Sequence, residues 1–372
     1  MGIMKILLLG GTGAMGLPLV NILLKFGHDV VVTSRIERKS RDLRVRYIKG
    51  DAKNVIFLRE VLKERYDVIV DFMHYHADEL NARIEILLSS TDHYFFLSSS
   101  RVYAASDIEL VEESPRLLEV VQDNNYLSTD EYALSKARCE NIILKSAYNN
   151  WTIIRPYITY NNDRLQLGMF EKEGWLYRAL KGHAIVFSED LVSVKISLTF
   201  GDDVAGAIAM LIEKKSGFGE IIHIVGDDSM TWGEVLNLYC DTIDECVHFR
   251  PKVVMIENGT ELSRIIGNYY KFKYDRLVTK IFNNHKVNRL CQEEIKYTPM
   301  NKGLKNCLKN FLNEGGEFKY VNIMVEAYLD KHSGELASMS EFNSLRRYAK
   351  YLICRDTPYI HWKIKKTKNS WW

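Results

Sequence analysis

The chain has no paired cysteines, no excess of charge of either sign and no long apolar run. Its six cysteines (Cys139, Cys240, Cys246, Cys291, Cys307 and Cys354) are scattered, with no C-x-x-C pair and no Cys/His cluster. That argues against a disulfide framework and against a metal site, so none is expected. Reduced thiols suit a cytoplasmic protein. The formal net charge is +2, from 50 basic and 48 acidic side chains, so no global field favours a nucleic-acid partner. The apolar run Ile6–Leu9 is too short for a signal peptide and ends in glycine. No apolar stretch is long enough for a transmembrane segment.

What is present is ample core material, 47% of 372 residues, enough for one large α/β domain or a large domain with a smaller one. The stretch Lys5–Leu9 runs into Gly10-Gly11-Thr12-Gly13-Ala14-Met15-Gly16, and an apolar helical pattern follows (Leu17, Val20, Leu23, Leu24). A buried strand, a tight turn and a helix are predicted there. Such a turn lets a phosphate approach, because no Cβ blocks it and the helix N-terminus offers free N–H groups. The alternative is a glycine-rich turn that holds nothing.

Strand and helix patterns then alternate. Strands are predicted at 30–33, 46–48, 67–71, 94–97 and 151–154, and helices at 17–26, 55–64, 80–88 and 131–147. Residues 104–128 read as a loop. A further strand is expected near 221–225, followed by a helix opening on the capping box Thr231-Trp232-Gly233-Glu234. Alternation of this kind predicts an α/β fold, a doubly wound parallel sheet whose ligands lie beyond the strand C-termini. The expected division is a dinucleotide-binding Rossmann domain over 1–160, a smaller substrate lobe interleaved with returning strands over 161–312, and a helical extension over 313–372. The extension ends in lysines and tryptophans (Lys363, Lys365, Lys366, Lys368, Trp371, Trp372), as a frayed appendage or an interfacial contact would.

Tyr132 and Lys136 form a Y-x-x-x-K pair on a predicted helix, where i and i+4 share one face. A nearby ammonium favours the phenolate, so such a tyrosine can exchange protons near neutral pH. An ordinary surface pair has the same spacing. Position distinguishes them, because this pair follows the Ser98-Ser99-Ser100 triplet that ends the fifth predicted strand, on the cofactor side of the sheet.

With these motifs the chain resembles the extended short-chain dehydrogenase/reductases, the NAD(P)-dependent nucleotide-sugar epimerase/dehydratase family. The matching residues are Gly10 to Gly16, Gly50-Asp51, Leu97-Ser98-Ser99-Ser100-Arg101-Val102-Tyr103, Tyr132 with Lys136, Arg155-Pro156-Tyr157 and Asp202-Asp203-Val204-Ala205. The resemblance ends near Leu312. It implies Tyr132 as the acid/base, Lys136 as its electrostatic partner and ribose contact, and Ser99, rather than Ser100, as the catalytic hydroxyl. It implies a cofactor site of Gly10, Thr12, Gly13, Ala14, Met15 and Gly16, with Asp51 and Ala52 at the adenine. The alternative for Asp51 is a turn residue after Gly50. Ser34 and Arg35 end the second strand, where NAD enzymes carry an acid. A hydroxyl and a guanidinium suit a 2′-phosphate, so NADP is expected, with NAD as the alternative.

For the substrate, a nucleotide-diphosphate sugar, the resemblance points to Ser100, Tyr157 and Tyr160, with Arg164, Lys195 and Arg178 as diphosphate partners. His74 and His76 read as pocket lining. Thr129-Asp130-Glu131 spells the acid/base trio of sugar dehydratases but lies directly before the tyrosine, so a dehydratase is not expected; Asp130 and Glu131 read as first-turn acids, with Thr129 or Ser128 as the cap. The expected activity is an epimerase working through a keto sugar, with C4 as the expected carbon. The alternatives are an NADPH-dependent ketoreductase and a non-catalytic dinucleotide sensor. A homodimer is expected from the helices beside the Y-x-x-x-K segment.

Overall fold

In a computed structural model that describes residues 2–356, seven parallel strands form one sheet: β1 (Lys5–Leu9), β2 (Asp29–Ser34), β3 (Val45–Lys49), β4 (Tyr66–Asp71), β5 (Thr91–Leu97), β6 (Trp151–Pro156) and β7 (Glu220–Ile224). Their order is β7-β6-β5-β4-β1-β2-β3, which reverses direction at β1. In such a sheet the crevice for a ligand opens at the reversal, beyond the strand C-termini. The β1 register pairs Leu8 with Val32 on one side and with Val70 on the other.

Because side chains alternate along a strand, the continuous apolar run of β1 feeds both faces. Ile6 and Leu8 pack with Val30, Val32, Val68 and Val70 against α1 (Gly16–Lys25) and, from later in the chain, the helix Gly201–Glu213. Leu7 and Leu9 pack with Val31, Ile69, Tyr94 and Phe96 against Cys139 and Ile143 of α2 (Tyr132–Leu144). The doubly wound architecture follows from that two-sided burial.

Two predicted elements differ in detail. The helix expected over 80–88 is two helices, Ala77–Asn81 and Ile84–Ser89. At the break Arg83 turns inward, bonds the Lys53 carbonyl at 2.8 Å and lies over the Tyr75 ring at 4.7 Å. The polar stretch 104–128 carries two short helices, Leu117–Val120 and Asn124–Leu127, the second capped by the Asp123 carboxylate on the Tyr126 N–H. The Thr231 capping box is present at the head of α3 (Trp232–Val247).

The chain divides into two units. The first is 1–161, 197–229 and 280–303; the second is 162–196, 230–279 and 304–372. The returning segments therefore include 280–303 as well as 197–229, and the C-terminal helices α4 (Ile323–Ser333) and α5 (Leu345–Asp356) share a unit with 162–196 and 230–279. In that second unit Arg178 is fully buried and paired with Glu326, Asp330 and Glu335. It is spent on holding the C-terminal helices, which takes it out of the diphosphate candidates. The helical extension expected over 313–372 is interrupted over 334–344, where Gly334 ends α4 in the left-handed region. The basic, aromatic end (Lys363 to Trp372) lies outside the described residues.

Candidate active site

The glycine turn is built by backbone approach. A Cβ on Gly16 would lie 2.5 Å from the Gly11 backbone, and one on Gly10, at φ +68°, would lie 2.6 Å from Met73 Sδ. Gly10 also donates its N–H to Thr33 Oγ1 at 2.9 Å, which ties the turn to the end of β2. Gly13 differs: a Cβ there would meet nothing within 4 Å. The turn is closed by its outer glycines and open at the middle one, just ahead of the α1 N-terminus. That is a cradle suited to a pyrophosphate. Thr12, Ala14 and Met15 complete it, and the Ala14 carbonyl is so close to Gly201 that no side chain fits there.

Around the cradle the adenine-end candidates divide between surface and interior. Arg35 is exposed, and Ser34 is buried with its hydroxyl accepting from the Ile36 N–H. Asp51 accepts from the Lys53 N–H at 2.9 Å, as a turn residue does, and Ala52 is buried beneath it.

The candidate reacting groups lie on α2 and at the end of β5. Lys136, nearly buried on α2, donates to the Leu97 carbonyl at 2.6 Å and to the Met73 carbonyl at 3.1 Å. It thus ties the end of β5 to the loop after β4. Tyr132, one turn earlier, has the Lys136 ammonium 6.0 Å and the Arg101 guanidinium 5.1 Å from its ring centre. Arg101 is paired with Glu131, the residue that caps α2 by accepting from the Ala133 N–H. The expected Thr129 or Ser128 cap is therefore replaced by Glu131, because the helix starts one residue later than its acids suggested. Asp130 faces Arg138.

The serine triplet splits three ways. Ser98 donates to Glu140 and Ser100 to the Arg155 carbonyl, both deep in the protein. Ser99 Oγ accepts from the Arg101 N–H at 3.2 Å, which leaves its own proton outside these structural bonds.

Beneath the site lie charged groups that sequence patterns did not single out. Asp71 is fully buried at the end of β4, accepting from Tyr94, Tyr75 and the Met73 N–H. Burial pushes its carboxyl up to about 6. Glu140 is fully buried between Arg155 and Arg116. Burial would raise its carboxyl, but the guanidinium of Arg155 and the Ser98 hydroxyl overcome that and hold it below the usual range. Asp71 had the signal of an acid closing the apolar run Val68–Val70. Glu140 had none, because helical spacing does not tell a buried acid from a surface one.

His74, in the loop after β4, stacks on the Tyr132 ring, with centres 5.2 Å apart and planes 16° from parallel. Burial, with Lys136 and Lys53 adding to it, pushes its imidazole down to about 4.

The substrate candidates are divided. Tyr157 and Tyr160 belong to the first unit, both buried; Tyr157 lies against Phe282 and Tyr160 against Phe200. Arg164 and Lys195 belong to the second unit, both exposed, with Arg164 3.7 Å from Glu171 and Lys195 on a two-residue strand beside Met230–Thr231.

Residues 10–178 match a family model described as NAD(P)H-binding. That match takes in the glycine turn, the serine triplet and the Tyr132–Lys136 helix, just under half of the chain. Among curated proteins it is 28% identical over 269 residues to the chloroplast stem-loop binding protein of 41 kDa b from Arabidopsis thaliana, covering 67% of this chain and 66% of that one. It is 22% identical to 2'-dehydrokanamycin reductase from Streptomyces kanamyceticus, covering 62% and 64%. The matches thus span just under two thirds of these relatives. A solved UDP-glucuronic acid 4-epimerase from Bacillus cereus, in complex with UDP-glucuronic acid and NAD, superposes with a TM-score of 0.63 at 16% identity, over 84% of this chain and 99% of that one. At that identity the likeness is one of fold. Among the described residues no helix is long and apolar enough to cross a membrane.

Proposed function

We propose that this protein is an NAD(P)-dependent epimerase acting on a nucleotide-diphosphate sugar through a keto intermediate, with C4 as the reacting carbon. The observation that carries the reading is the convergence of Tyr132, Lys136 and Ser99 on the end of β5, beside the open glycine cradle. Gly13 and the α1 N-terminus would hold the pyrophosphate, Asp51 and Ala52 the adenine, and Lys136 the ribose. Arg35 and Ser34 favour a 2′-phosphate and hence NADP, with NAD as the alternative. The cofactor, when bound, supplies reversible hydride exchange with the sugar carbon.

The chain's own residues handle the proton. Tyr132 Oη accepts the proton of the C4 hydroxyl as the carbon is oxidised and returns it on reduction from the other face. Ser99 Oγ hydrogen-bonds the same sugar oxygen in both states. Lys136 and Arg101 place positive charge beside the phenol, which stabilises it while it carries the negative charge. Tyr157, Tyr160 and Ser100 are proposed sugar contacts. A homodimer and a cytoplasmic setting accompany this reading.

Reduction of a keto sugar by NADPH is the second reading, favoured by the exposed Arg35 at the end of β2 and in keeping with the relative named as a reductase. Stem-loop binding is a third, carried by similarity to the Arabidopsis protein.

The test is to incubate the purified protein with UDP-sugars plus NAD⁺ or NADP⁺ and follow both product and absorbance at the reduced-nicotinamide band. Epimerised product with steady absorbance supports the first reading. In a parallel incubation with a UDP-keto sugar and NADPH, stoichiometric loss of NADPH without epimerised product in the first assay would replace it by the second. Retention of a labelled RNA stem-loop, with no turnover and no dinucleotide binding, would replace both. Tyr132→Phe is expected to lower turnover at least a hundredfold while cofactor affinity stays within about twofold.

A further inference from the structure

His74 has an unexplained polar atom. Its Nε2 is shielded from solvent and makes no hydrogen bond among the described residues. A shielded, unpaired nitrogen costs free energy that a structural histidine avoids by bonding a neighbour. The buried histidines of the sheet region do so: His93 Nε2 meets Thr152 Oγ1 at 2.7 Å, and His223 Nε2 meets the Asn283 carbonyl at 2.8 Å. His74 also occupies a particular place. It follows Met73, whose sulfur closes on Gly10 of the cradle and whose carbonyl receives the Lys136 ammonium. On its flat side it stacks on Tyr132. It therefore lies between the proposed pyrophosphate cradle and the proposed nicotinamide-ribose end.

We propose that His74 is a cofactor-binding residue, whose ring nitrogen hydrogen-bonds the nicotinamide-ribose half of the dinucleotide while its face holds the Tyr132 ring in place. The assignment rests on the reading of the site as an NAD(P) site. A half-turn of the imidazole about χ2 keeps the ring plane, and with it the stack, while moving Nε2 off its unpaired position. The ring stays uncharged in this setting, so the nitrogen is available as one donor or one acceptor rather than as a cation.

Binding separates the two functions of the ring. NADPH and NAD⁺ affinities are measured by fluorescence and calorimetry for wild type, His74→Phe and His74→Gln, alongside 2′,5′-ADP, which carries only the adenine half. His74→Phe keeps an aromatic face but no nitrogen; His74→Gln keeps a hydrogen-bonding group. The expected result is an NADPH affinity about tenfold weaker in His74→Phe, about 1.4 kcal/mol, restored to within about threefold in His74→Gln, with 2′,5′-ADP affinity the same in all three. Wild-type NADPH and NAD⁺ affinity in His74→Phe would overturn the assignment. So would an equal loss for 2′,5′-ADP, which would mean that the cradle itself had been disturbed. Failure of wild type to bind either dinucleotide would instead overturn the reading of the site as a whole. Thermal melts of the three proteins check that each is folded.

Discussion

Glu140→Gln tests how far the strand-end geometry depends on one buried carboxylate. Glu140 accepts from Arg155 Nε at 2.8 Å and from a terminal nitrogen of the same guanidinium at 2.7 Å, and Arg116 approaches at 3.0 Å. Arg155 is 1% exposed and Glu140 not at all. The amide keeps the shape but removes the charge, and it turns an N–H toward a guanidinium that can only donate. Arg116 retains Glu119, whereas Arg155 keeps only the Glu112 carbonyl and the Tyr103 ring. Leaving a buried charge without its partner costs about 3–5 kcal/mol. At the roughly 2–4 °C per kcal/mol of a mid-sized domain, the melting temperature should fall by about 6–20 °C. The assay is urea and thermal unfolding at pH 7, followed by circular dichroism. Glu140→Leu combined with Arg155→Met should recover most of the loss, since apolar side chains can replace a buried pair with little net change. A Glu140→Gln protein within about 1 kcal/mol of wild type would refute the argument. The same network takes up the Ser98 hydroxyl, so reduced dinucleotide-dependent turnover in the folded variant is expected too.

Three further outcomes follow from particular contacts. Gly13→Ala should leave stability unchanged and weaken dinucleotide binding at least tenfold, because its methyl enters the open cradle, whereas Gly16→Ala should destabilise the fold by about 1–3 kcal/mol through overlap with the Gly11 backbone; equal melting temperatures for the two would contradict this. In the second unit the hydrogen bond to Asp330 pushes His183 up to about 9. Its folded value thus exceeds the ordinary 6.5, so its stabilisation is complete below about pH 6.5 and disappears as pH rises through 9. The stability gap between wild type and His183→Gln should shrink over that window in denaturant titrations, and a gap constant from pH 6 to 10 would count against it. Thr231→Ala removes a cap bond to the Glu234 N–H and should cost about 1 kcal/mol, read by the same titrations, with Thr231→Ser restoring most of it.

Local signals in the chain were of two strengths. Apolar runs ending in glycine, serine or acid marked the sheet strands, because a strand buried on both faces needs continuous apolar residues and must stop where the backbone meets a site. Tyr132 and Lys136 were legible for the same reason: four residues of helix put them on one face whatever surrounds them. The expected diphosphate role of Arg178 fails because nothing local distinguishes an exposed guanidinium from one enclosed by Glu326, Asp330 and Glu335, carried by a segment some 150 residues later.

The order of residues alone made the doubly wound sheet, the glycine turn and the Tyr132–Lys136 pair legible, since each is written as a pattern over neighbouring positions. Tertiary packing alone decided which of three adjacent serines keeps its proton outside structural bonds, which acids are buried, and that an imidazole lies flat on Tyr132. Those outcomes depend on elements distant in sequence meeting in a low-dielectric interior, where pairing rather than residue type governs whether a polar group is structural or available.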